Sequence, residues 1–133
     1  MNEQKNILVV DDDIDLLEQV SMILKKEGYR VISAQGQKEG EEALLTAVPD
    51  LAVLDLMMEN MDSGFVLCHH VKKRNPKTPV ILVTAVTSET GMEFENSSGD
   101  ERSWIKADAI LTKPVRGEQL RREIDRLLGA TPA

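Results

Sequence analysis

Four short apolar runs in this chain end in residues that can do chemistry. Lys5–Val10 runs into Asp11, Asp12 and Asp13, Leu51–Leu54 ends at Asp55, Pro79–Val83 ends at Thr84, and Asp108–Thr112 ends at Lys113. Runs of this length and composition read as strands, and the most apolar of them as strands buried on both faces. An open α/β sheet places its chemistry at the carboxyl ends of its strands, so these residues would meet there. Three carboxylates brought together repel, and desolvation adds to the cost of keeping them ionised. A hard divalent cation relieves that cost, and Mg2+ suits a few carboxylates, a carbonyl and retained waters. A cation beside a carboxylate nucleophile fits phosphoryl transfer, where catalysis is mostly positioning and charge stabilisation. The hydroxyl of Thr84 and the ammonium of Lys113 would supply donors to phosphoryl oxygens.

Other elements must hold those strand ends in place. Ile14, Leu17, Val20, Ile23 and Leu24 recur at helical spacing and predict a helix from about 13 to 27, capped by Asp13 and stopped by Gly28. Tyr29–Ala34 alternates and reads as a second strand, followed by a helix through Glu39, Ala43, Leu44 and Ala47 that ends before Pro49. After Asp55, residues 59–64 carry turn residues, and Phe65, Leu67, Cys68 and Val71 mark a helix to about Arg74. The stretch from Ala85 to Lys106 mostly lacks periodicity and reads as a loop with a short helix around 100 to 106. Glu118–Leu128 is the last helix, and Gly129–Ala133 a frayed end. Five strands alternating with helices predict an α/β fold: a doubly wound, five-stranded parallel sheet of flavodoxin-like order 2-1-3-4-5, with helices on both faces.

Composition sets limits on function. The length of 133 residues fits one domain, spanning 1–133, with no repeat, no linker and no room for a second domain. A net charge of −7 argues against nucleic acid and anionic membrane as partners, which need clustered Lys and Arg. No apolar stretch approaches the roughly 20 residues of a membrane span, and the polar start at Met1–Asn6 is not a secretory signal. The single cysteine, Cys68, fits a reducing cytoplasm and a small core position.

Val9–Asp12, Val53–Met58, Val83–Ala85 and Leu111–Pro114 together resemble the receiver domain of two-component response regulators, over nearly the whole chain and in the right order. The resemblance implies a role for each matching residue. Asp55 would be the phosphoacceptor, and Asp12 would bind Mg2+ directly and Asp11 through water, with the Met57 carbonyl as a further ligand. Thr84 would hydrogen-bond the phosphoryl group as the switch hydroxyl, and Lys113 would pair with the phosphate through a loop whose Lys113–Pro114 bond is cis in the family. The donor would be a phosphohistidine on a sensor histidine kinase or a histidine phosphotransfer protein, and the result an altered protein-binding surface, in a freestanding receiver or one excised from a larger protein. Three positions depart from the pattern. Ile110 stands where the family has an aromatic switch residue, so a rotating-ring readout is not implied; Glu59 replaces the usual proline, with one extra residue before Gly64; and the stretch between Thr84 and Lys113 is longer than usual.

Plainer readings stand beside these. Acids at strand ends can simply cap helices, as Asp11–Asp13 would if taken alone. His69 and His70 read as surface residues, since a metal pair on a helix favours i, i+4 spacing. Trp104 would anchor the extended segment, and the acids from Glu89 to Glu101 form a solvated surface. Two other functions use the same residues. A small haloacid-dehalogenase-like phosphatase would take its nucleophile from Asp11–Asp15, and a pseudo-receiver would bind partners without phosphorylation.

Overall fold

The computed structural model describes residues 5–56, 58, 62–84, 107–113 and 115–129. Five strands form one sheet: β1 (Asn6–Val10), β2 (Arg30–Ala34), β3 (Leu51–Asp55), β4 (Val80–Thr84) and β5 (Ala109–Thr112). The helices among the described residues are α1 (Ile14–Lys26), α2 (Gln37–Thr46), α3 (Ser63–Arg74) and α4 (Gly117–Leu128). The spatial order is β2-β1-β3-β4-β5 and every pairing is parallel, as the alternation of strand and helix predicts.

The period of two along each strand sorts the core into two layers. Ile7, Val9, Leu51, Val53, Ile81, Val83 and Leu111 point to one face and meet Leu17, Val20 and Leu24 of α1 and Leu120 and Ile124 of α4. Leu8, Val10, Ala52, Leu54, Val80 and Leu82 point to the other and meet Leu44 of α2 and Leu67, Cys68 and Val71 of α3. Both faces are therefore covered, which is why β3 and β4 are buried at every position. Cys68 is fully buried, the small core residue its apolar context suggests.

Local chemistry sets the helix ends. Asp13 accepts from the Leu16 N–H (3.3 Å) and caps α1. At the other end Gly28 takes φ +95°, with its N–H on the Lys25 carbonyl (3.0 Å) and the Tyr29 N–H on that of Leu24 (3.0 Å). That pair of bonds is the Schellman closure, which favours glycine at this position. One boundary differs from the sequence reading. Ser63 and Gly64 look like turn residues, yet both are buried in the first turn of α3. The expectations for Trp104, the acidic run from Glu89 to Glu101 and a helix near 100–106 fall outside the described residues.

Only Leu120 and Ile124 carry full burial on α4, while the rest of that helix is exposed or half-buried. Truncating one of the two should therefore weaken the whole layer. Ile124→Ala should lower unfolding free energy by about 2–5 kcal/mol, read from the shift in urea midpoint at unchanged slope.

Candidate functional site

The strand register places the acids. Val10 of β1 lies beside Leu54 of β3, so Asp11 and Asp55, one residue further on, leave the sheet side by side. Each chemical position is held by a backbone bond that carries the ladder past the strand end. The Asp11 N–H donates to the Ala34 carbonyl (3.1 Å), the Leu56 N–H to that of Val83 (2.8 Å), and the Lys113 N–H to that of Thr84 (2.9 Å).

Asp11, Asp12 and Asp55 each offer a carboxylate oxygen within 4.8 Å of the others. Asp11 and Asp55 are buried and Asp12 is exposed, so the cluster opens to solvent on the Asp12 side. Asp11 is fixed from both ends of its carboxylate: Oδ1 accepts from the Asp13 N–H (2.8 Å), and Oδ2 lies 3.5 Å from Lys113 Nζ. The same ammonium stands 3.3 Å from Asp55 Oδ1. Thr84 is buried at the end of β4, one residue beyond the partner of Asp55 in the ladder. Of the residues singled out in the sequence, the fold thus gathers Asp11, Asp12, Asp55 and Lys113, and sets Thr84 at the neighbouring strand end. Met57 and Pro114 lie outside the described residues.

Electrostatics follow from this crowding. Burial, then the Asp11 carboxylate, push the Asp55 carboxyl up to about 7; Lys113 draws it back and Asp12 adds a smaller push upward. For Lys113, burial works against its charge, but the Asp11 and Asp55 carboxylates together outweigh it and raise its pKa. With all groups ionised, three carboxylates face one ammonium, a local balance of −2. That deficit and the all-oxygen donor set fit a hard divalent cation.

His69 and His70 are not part of this site. His69 is exposed, and His70 Nε2 lies 3.5 Å from Glu41 Oε2, across the α2–α3 groove. Sequence reading missed Gly64, which packs against the Asp55 and Leu56 backbone. The signal was the helical spacing of Phe65, Leu67, Cys68 and Val71, which extends back to include it.

The family profile of the response regulator receiver domain matches residues 7–125. The chain belongs to that family. This receiver is a phosphoacceptor signalling switch of two-component systems, and the acidic cluster fits that chemistry. It is similar to the alkaline phosphatase synthesis transcriptional regulatory protein PhoP of Bacillus subtilis, 33% identical over 127 residues, with 93% of this chain and 48% of that protein covered. It is also similar to the transcriptional regulatory protein GlrR of Escherichia coli, 35% identical over 120 residues, covering 90% of this chain and 25% of that one. The receiver thus spans a quarter to a half of the length of these relatives. Among solved structures, a CheY-like receiver domain protein of Methanospirillum hungatei superimposes with a TM-score of 0.79 at 29% identity, covering 96% of both chains. No helix among the described residues is long and apolar enough to cross a membrane.

The raised carboxyl fixes the sign of a pH effect. Asp55 binds its proton more tightly folded than unfolded, so its contribution is fully present below about pH 4 and is lost as pH rises through about 7. In chelator, the urea midpoint of the receiver should fall across that window. Asp55→Asn should flatten this part of the profile.

Proposed function

We propose that Asp55 is the phosphoacceptor and that Asp11, Asp12 and Asp55, with the Met57 carbonyl, hold Mg2+. The observation that carries this reading is the convergence of three carboxylates within 4.8 Å of one another, with Lys113 Nζ 3.3 Å from Asp55 Oδ1. The donor is a phosphohistidine of a sensor histidine kinase or a histidine phosphotransfer protein. A bound Mg2+ would favour the ionised carboxylates and draw charge from the phosphoryl oxygens.

The chain's own residues do the rest. A carboxylate oxygen of Asp55 attacks phosphorus, the bond from phosphorus to the donor nitrogen breaks, and the imidazole leaves with the electron pair. Lys113 already touches Asp55, so its ammonium stays close as an anionic phosphoryl group replaces a carboxylate charge there. Thr84, buried at the adjacent strand end, donates its hydroxyl to the new phosphoryl oxygen and moves with it. The resulting change biases a protein-binding surface, with a protein rather than nucleic acid or membrane as the output. Residues 1–133 constitute one receiver domain acting in the cytoplasm, and its only catalysis is of its own phosphorylation and dephosphorylation.

A small acyl phosphate tests this without a kinase. Incubated with acetyl phosphate and Mg2+, the protein should gain one phosphoryl group by intact mass, with acetate leaving. Chelation or Asp55→Ala should abolish the gain, and Thr84→Ala should leave acceptance measurable while weakening the response. No gain in wild type, or an undiminished gain in Asp55→Ala, overturns the assignment.

A further inference from the structure

The backbone on either side of the 55–56 peptide is gripped from two directions. On one side, the Leu56 N–H donates to the Val83 carbonyl (2.8 Å). On the other, the Leu56 carbonyl accepts from the Gly64 N–H (2.7 Å), in the first turn of α3. Gly64 can sit there only because it has no side chain. A Cβ at this position would lie 2.6 Å from the Asp55 carbonyl oxygen, 2.6 Å from Leu56 Cα and 3.1 Å from the Asp55 carbonyl carbon. All three atoms are backbone, so no rotamer change relieves the clash; either α3 lifts or the 55–56 peptide tilts.

We propose that Gly64 is a positioning residue for phosphoryl transfer: the bare backbone of the first α3 turn sets where the Asp55 carboxylate points. This rests on Asp55 being the acceptor, as proposed above. The carboxylate is one residue from the contact and must meet Lys113 at 3.3 Å and stay within 4.8 Å of Asp11 and Asp12. Tilting its peptide changes all of those distances together. The cost then falls on the rate of transfer, because misplacement of about 1 Å at a reacting group can cost about a hundredfold.

Gly40 supplies the control. It is also a buried helical glycine, but the nearest atoms a Cβ there would meet are the side-chain methyls of Leu67 (3.1 Å) and Val10 (3.3 Å), which must give way by a few tenths of an ångström without any backbone atom being touched so closely. Both substitutions add one methyl to the α2–α3 side of the sheet, and only one touches the backbone at Asp55.

The experiment compares wild type, Gly64→Ala and Gly40→Ala for phosphorylation by acetyl phosphate at saturating Mg2+, over a range of donor concentrations. Mg2+ affinity and urea stability are measured in parallel. Gly64→Ala should lose at least about tenfold in maximal rate, with the half-saturating donor concentration little changed and Mg2+ affinity reduced. Gly40→Ala should keep the wild-type rate whatever its stability. Should Gly64→Ala be partly unfolded, the same measurements in trimethylamine N-oxide, which favours the folded state, should leave the defect in place. A Gly64→Ala protein that is merely less stable, with wild-type maximal rate and Mg2+ affinity once folded, overturns the proposal, as does an equal loss in Gly40→Ala. Failure of wild type to accept phosphate would instead overturn the acceptor assignment itself.

Discussion

The structure turns on unlike demands made of one small volume. Asp11 and Asp55 are buried side by side, Asp12 stands at the rim, and one ammonium serves both buried acids. In water such a group of charges would simply move apart. Here the two buried acids follow directly on Val10 and Leu54, which are packed into a core filled from both faces, and Lys113 stands two residues beyond the buried Leu111. The hydrophobic sheet therefore supplies the force that holds like charges together, while burial first and the Asp11 carboxylate second raise the Asp55 carboxyl. A site held this way is poised to take up positive charge, and equally to have its charge balance altered when a phosphoryl group arrives.

Much of this was legible in the sequence because the core and the site obey different rules at adjacent positions. A run such as Leu51–Leu54 has no polar residue, and the acid that ends it marks the point where the strand emerges from between its helices. The same contrast marks Asp11 after Val10. The N-cap at Asp13 and the stop at Gly28 were readable too, since each rests on local backbone geometry. Gly64 was not. Serine and glycine following an aspartate carry turn propensity, and the reason they sit in a helix is a contact with the end of β3, which no local window contains. The identity of Met57 as a possible ligand and the geometry of Lys113–Pro114 fall outside the described residues, so the resemblance alone speaks to them.

Ile110 shows how a departure from family pattern is absorbed. It is half-buried on β5, beside Leu82 of β4, and packs with the α2–α3 layer that also holds Phe65 and Met58. An aliphatic side chain in that place has no ring to swing and no polar tip to exchange partners. Among the described residues, the site meets the end of β5 through the main chain, where the Lys113 N–H donates to the Thr84 carbonyl (2.9 Å). A displacement of Thr84 would pull on the end of β5 directly.

The position of α3 links these points. At its N-terminus Gly64 lies on the peptide that carries the acceptor, and near its C-terminus Lys72 Nζ reaches Asp108 Oδ2 at 2.7 Å. That carboxylate oxygen also accepts from the Val80 N–H (2.8 Å), while the Asp108 N–H donates to the Val80 carbonyl (2.8 Å). One helix is therefore fastened to the carboxyl end of β3 and to the amino ends of β4 and β5, with Leu67, Cys68 and Val71 packed between those two attachments. Among the described residues, the carboxyl ends of β4 and β5, where Thr84 and Lys113 sit, lie outside these two attachments of α3.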